Sequence, residues 1–296
     1  MNHSIAKVWA RGGARGLIVL MMLTSVLPSS RARAAGSPAG PTPVVSQINI
    51  FGPPGSQQFG TSVTLLPNGN IVVTDPYYSI TGPTPVANVG AAYLYNGATG
   101  ALISMLTGSN ANDFVGGAVT VLVNGNYLVS SNGWNDYRGA VTWGSRTTGA
   151  RGIVSATNSL VGSLPSDRIG WDGVTVLTNG NYVVNSPPWH SIGAVTWGNG
   201  ATGTSGLVSM ANSLVGSTQY DAIGSGGAVA LTNGNYVVCS QFWHNGVISA
   251  AGAVTWGNGT NGTSGLVSAA NSLVGSSKND SLAVAGWSCS PTATTS

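Results

Sequence analysis

Hydrophobic and polar positions along the chain alternate on a short scale and recur on a long one. The stretch VTVLTNGNYVV from Val174 places apolar β-formers on both sides of an Asn-Gly pair. Asn-Gly tolerates the positive φ angles of tight turns that match strand twist, so the segment predicts a β-hairpin. The strand cores, VTVL and YVV, are continuous apolar runs, which predicts strands covered on both faces. Beyond the first 34 residues no long stretch carries the 3.6-residue period of an amphipathic helix.

The hairpin is copied. NGN begins at Asn68, Asn124, Asn179 and Asn233, at spacings of 56, 55 and 54 residues. A second marker follows each copy, GAAYLYNG from Gly90 and GAVTWG from Gly139, Gly193 and Gly252, and a third closes it, LTGS from Leu106 and LVGS from Leu160, Leu214 and Leu273. A closing segment such as SGLVSAANSLVGS suggests one or two further strands, about four per unit. Repeats of this length, stacked sheet on sheet, predict an all-β, propeller-like array of four blades, at about 46–112, 113–166, 167–220 and 221–280. The INIFG segment from Ile48 is read as an outer strand able to close a ring, and an incomplete propeller, an open arc, is the preferred arrangement.

The ends read differently. Lys7, Arg11 and Arg15 precede an apolar run, Gly16 to Leu27, and a small-residue site at Ala32-Arg33-Ala34. This predicts a secretory signal peptide over 1–34, cleaved after Ala34, then a linker over 35–45. The run is too short to span a bilayer. At the other end a fifth unit starts with Lys278-Asn279-Asp280, and residues 281–296 depart from the repeat. Read one base earlier, the codons for Trp287 to Thr295 permit VVVLTNGNY, the missing hairpin. The register agrees, because Thr295 follows Asp280 by fifteen positions, as Tyr182 follows Asp167 and Tyr236 follows Asp221. The tail is therefore read as a frameshift remnant of a longer array, with Trp287 and Cys289 as accidents of that shift.

Charge narrows function. Only 6% of residues are charged, and the formal charge of +3 comes from the leader. Beyond residue 34, five Lys and Arg face seven Asp and no Glu, a net −2. That excludes a nucleic-acid binder. Two cysteines, Cys239 and Cys289, make no disulfide scaffold; a single bridge is conceivable but disfavoured, and Cys239 is read as a one-off substitution at a strand end.

Phe59-Gly60, NIVVTDP from Asn70 and GAAYLYNGATGALISMLTGS from Gly90 together resemble an FG-GAP repeat, the blade of integrin-α-type propellers. Later units replace Phe-Gly with Val115-Gly116, Ile169-Gly170 and Ile223-Gly224, and Gly-Ala-Pro with Asn185-Ser186-Pro187. They are more similar to repeats of large bacterial surface proteins. The leader MNHSIAKVWARGGARG resembles the extended signal peptide of Gram-negative type V secreted proteins. The resemblance implies a secreted or surface protein. The calcium loop of many FG-GAP blades is replaced by LPNGN, LVNGN or LTNGN without a carboxylate, so no metal is expected there.

Candidate chemistry is sparse. Asp113, Asp167, Asp221 and Asp280 occupy the same place in successive units; a ring of ligands and a repeated Asx-type turn are the two readings, and repetition favours the turn. Only Asp75, Asp136 and Asp172 remain, too few for a convincing acid-base pair. Trp143, Trp197 and Trp256, with Tyr95, lie within strands and read as packing. Trp134, Trp189-His190 and Trp243-His244 recur just after the hairpins, on one expected rim. There they would stack sugars or dock a partner, the competing reading being that each aromatic folds inward between blades. The expectation is a non-catalytic structural, adhesive or interaction protein without cofactor, its partners surface proteins or glycans; the alternative is a lectin-like carbohydrate binder.

Overall fold

The computed structural model describes residues 47–282, and the backbone of two short strands, Gly12–Gly13 and Gly16–Val19. The cleavage site after Ala34, the linker over 35–45 and all but the first two residues of the proposed frameshift remnant over 281–296 lie outside the described residues. Gly16–Val19 pairs antiparallel with Ile48–Ile50. Its residues belong to the apolar run read as an export signal, so cleavage after Ala34 would leave the Ile48–Ile50 strand without this partner.

Each NGN turn closes an antiparallel hairpin. In the third unit, Val174–Val176 pairs with Tyr182–Ser186, which pairs with Ala194–Gly198, which pairs with Ser213–Val215. The same order holds for Ser62–Leu65, Ile71–Asp75, Ala91–Tyr95 and Leu102–Thr107, for Ala118–Val121, Tyr127–Ser131, Ala140–Gly144 and Ser159–Val161, and for Ala228–Ala230, Tyr236–Ser240, Ala253–Gly257 and Ser272–Val274. The second strands of units one to three are buried at all five residues, as continuous apolar runs covered on both faces must be. Helix is confined to single turns, Trp134–Tyr137 and Trp189–Ser191, among the described residues.

The closing segment divides between two sheets, which local sequence did not reveal. In unit two, Gly152–Ile153 leaves its own unit and adds a parallel edge to Leu102–Thr107 of unit one. Gly206–Leu207 does the same to Ser159–Val161, and Gly265–Leu266 to Ser213–Val215. We call these two-residue strands arms. The valine after each arm, Val154, Val208 or Val267, is buried in the core shared with the preceding unit. Unit one has no arm, because Asn96 to Ala101 joins its third strand directly to its fourth.

The apolar cores therefore lie between units. One combines Val72, Leu94 and Leu106 of unit one with Tyr127, Val129 and Trp134 of unit two; the next two repeat it one unit on each time. The outer face of unit one is closed by Ile48, Ile50, Phe59 and Tyr78 against Tyr93 and Tyr95. Ile48–Ile50 thus packs as a lid on unit one and joins no blade sheet, contrary to its expected role as a ring-closing strand.

The tyrosine of each NGNY hairpin lies across from the glycine ending the AVTWG strand, as in the pairs Tyr127 with Gly144 and Tyr182 with Gly198. A Cβ on either glycine would enter the tyrosine ring, so this ring is accommodated by the missing side chain. Burial pushes Tyr182 from its ordinary value of 10.0 up to about 12 and raises Tyr127 and Tyr236 as well. A raised phenol pKa means that the neutral form stabilises the fold below pH 10, a contribution lost as pH climbs toward the folded value. Stability is expected to fall between pH 10 and about 12, by about 2 kcal/mol for Tyr182 alone at the upper end. Denaturant midpoints measured across that window, with Tyr182→Phe flattening the profile, check it.

Candidate functional site

The NGN asparagines couple neighbouring units. Asn124 and Asn126 Nδ2 of unit two donate to Gly200 O of unit three at 2.8 and 3.1 Å, and Trp143 Nε1 donates to the same oxygen at 3.1 Å. Asn179, Asn181 and Trp197 repeat this on Gly259 O at 2.7, 2.9 and 2.9 Å. The amide oxygen of Asn181 accepts Gly200 N–H within its own unit, so one side chain spans the joint. Asn181→Ala is expected to cost about 1–2 kcal/mol, and Asn235→Ala, with no partner for its Nδ2 among the described residues, clearly less. Urea titration of both variants tests the ordering.

The aspartates form a second joint. Asp167 is buried; its Oδ2 accepts Ser163 and Leu164 N–H at 2.8 Å each, and its Oδ1 accepts His190 N–H at 3.0 Å. Asp113 holds Ser109, Asn110 and Asn135 in the same way, and Asp221 holds Ser217, Thr218 and His244. The turn reading describes the first two bonds. The third, to a loop 22 or 23 residues further on, is a cross-link that spacing alone did not reveal. The residues flanking each of these aspartates have positive φ, as at Ser166 (65°) and Arg168 (50°), or Tyr220 (71°) and Ala222 (45°). Such backbone persists only where its surroundings over-determine it, as three hydrogen bonds to one carboxylate do here. Asp75 plays a related part in unit one, accepting Gln57, Gln58 and Tyr77 N–H.

The expected rim residues separate. Trp134, Trp189 and Trp243 are buried, one in each inter-unit core, which removes them from any ligand-contacting surface. Their indole bulk fills the gap between sheets, the inward reading of the two. His190 is stacked on Trp189 at 4.0 Å, and its Nε2 lies 2.8 Å from Ser163 Oγ. His244 places Nδ1 2.9 Å from Asp221 Oδ1 and lines a cleft.

That cleft, about 740 Å³, opens between the loops of units three and four. Trp171, Tyr220 and Phe242 line it with their rings partly exposed. Arg168 stands over Trp171, its Cζ 4.3 Å from the ring centre, and over Tyr137 at 5.3 Å. Sequence reasoning missed these residues because they do not repeat. Trp171 falls where unit four has Ser225, and Phe242 where the other copies have Gly133 and Pro188. Departure from the repeat was the available signal. Asp172, beside Trp171 in sequence, has its carboxyl raised above the ordinary carboxylate value by burial. Among the described residues no group of three or more His, Cys, Asp or Glu is placed to hold a metal ion, and no helix is long and apolar enough to cross a membrane. Cys239 is disulfide-bonded, which corrects the expectation that a single bridge is disfavoured.

A family model described as a repeat of unknown function, DUF5650, matches residues 65–117, 121–171, 176–225 and 230–284. No curated protein matches the chain.

Proposed function

Since the chain belongs to this family of repeats, we propose that it is a non-catalytic interaction scaffold, secreted or displayed at the outer cell surface, whose sheets fan out as FG-GAP-like blades of an open propeller arc. The reading rests on one contrast. The buried aspartates are copied from joint to joint and hold units together, while Trp171, Tyr220 and Phe242, which differ from their counterparts in other copies, gather on the rim. Aromatic rings supply contact area at low entropic cost, so a rim of them suits docking. The arc is supported by the approach of first strands in neighbouring units, where Thr175 Oγ1 donates to Ala228 O at 3.0 Å. Bacteria displaying the chain should adhere to host-cell or abiotic surfaces more than cells displaying a Trp171→Ser, Tyr220→Ser, Phe242→Ser variant. Equal adhesion at equal display would count against the scaffold's rim.

The cleft supports a second reading, a lectin-like site, since sugar rings stack on exposed indole and phenol faces. Binding on a glycan array, lost in Trp171→Ala and kept in the inter-unit control Asn181→Ala, would select it over a protein partner.

A further inference from the structure

The outward face of unit four carries, unfilled, the features that the other units use to hold their successor. In units two and three the leucine of the fourth strand is covered by the next unit: Leu160 and Leu214 are each 1% exposed. Its counterpart Leu273 is 73% exposed. Trp256, the counterpart of the half-buried Trp143 and Trp197, is 51% exposed. Val237 and Val254 are only partly covered, where Val183 and Val195 are fully buried.

The polar groups agree independently. Asn179 Nδ2, Asn181 Nδ2 and Trp197 Nε1 converge on Gly259 O of the following unit. The corresponding donors of unit four, Asn233 Nδ2, Asn235 Nδ2 and Trp256 Nε1, meet no acceptor among the described residues. Asn235 Oδ1 already accepts Gly259 N–H at 3.0 Å, so its side chain is set in the bridging orientation. The sheet edge is open too. Ser272–Val274 is the last strand of a four-stranded sheet, whereas the sheets of units one to three each take a fifth strand from a succeeding arm. The repeat register persists into the joint itself, since Leu282 N–H donates to Ala251 O at 3.1 Å as Ile223 N–H does to Ile192 O.

We propose that this face is a docking site for a further repeat of the same kind. The new repeat would supply a Gly-Leu-Val arm parallel to Ser272–Val274, and one turn carbonyl to Asn233, Asn235 and Trp256. The occupant follows from three filled copies of this interface. By the pattern of Val267 N–H, which donates to Val215 O at 3.0 Å, the incoming valine N–H would donate to Val274 O, and its side chain would enter the core beside Leu273. A second copy of this chain cannot offer the same fit head to tail, because its first unit has no arm and is lidded by Ile48, Ile50 and Phe59. This is strand addition at a sheet edge, with pocketed side chains adding selectivity.

Two measurements on the full-length chain test it. In the first, the sequence 221–280 is appended in frame in place of residues 280–296, with Cys239→Ser in parent and extension alike because the exchange removes the other cysteine, and hydroxyl-radical modification is followed at Trp256 and Leu273. Modification of both should fall several-fold, and an extension in which the arm's Leu and Val are replaced by Asp should leave it at the parent level. Unchanged modification beside a folded extension overturns the proposal. In the second, Leu273→Asp in the unextended chain should shift the Tm by no more than about 3 °C, while Leu214→Asp, at a filled interface, should abolish cooperative unfolding. Equal damage from both would mean the face is already covered within the chain, and a concentration-dependent dimer that protects Trp256 would mean a second copy covers it. Either result overturns the proposal.

Discussion

Asp167→Ala is expected to cost about 4 kcal/mol or more, a large share of the stability of a domain this size. One buried carboxylate receives three backbone N–H groups, from Ser163, Leu164 and His190, and alanine leaves all three without an acceptor. It also leaves Ser166 and Arg168 in left-handed backbone held only by their own backbone bonds to Asp136 O and Tyr137 O. Asp167→Asn keeps one oxygen, enough for the two Oδ2 bonds, but turns an amide N–H₂ toward His190 N–H, so about half the loss is expected. Asp280→Ala is the internal comparison. Asp280 is exposed and accepts only Ser276 and Ser277 N–H, which water can satisfy in its place, so about 1 kcal/mol or less should be lost. Urea unfolding of the three variants, followed by tryptophan emission, gives the order; a cost at Asp280 equal to that at Asp167 would refute the cross-linking role.

Gly193→Ala is expected to be among the most damaging single methyl additions at the described residues. Gly193 has φ of +81°, and an added Cβ would lie within contact of Ile223 N, Ala222 C and Ile223 O, all backbone atoms that cannot rotate away. Ile223 N–H donates to Ile192 O and Gly216 N–H to Gly193 O, so relief requires opening the joint between units three and four. A loss above about 4 kcal/mol is expected. Because each unit contacts its neighbours, unit four should melt separately from the others. Gly180→Ala separates strain from crowding: its φ is +90° but nothing lies within 4 Å, so only the backbone cost of about 1–2 kcal/mol applies. Hydrogen exchange resolved by unit distinguishes separate melting from global loss.

The hairpins and the four units were legible because Asn-Gly turns and apolar strands are local signals. The arms were not. Nothing within Gly206-Leu207 says that it pairs with Leu160-Val161 and not with its own unit, since that choice depends on a neighbour's geometry. The aspartate turns were readable for the same reason as the hairpins, and the third bond of each was hidden by its sequence distance. The tryptophans after the hairpins were placed correctly in the chain, but their direction was open between rim and core, and it is decided by the space between two sheets. The exposed rings of the cleft carry no repeat signal, because Trp171, Tyr220 and Phe242 are positions at which the copies differ.

The arms also set a timetable. The last strand of unit one ends at Thr107, yet the arm that completes its sheet is Gly152–Ile153, late in unit two. A polypeptide leaving the ribosome or an export channel N-terminus first can finish each sheet only after most of the following unit has emerged. Maturation then trails synthesis by one unit, and a pause at any point leaves one raw edge, always at the growing tip.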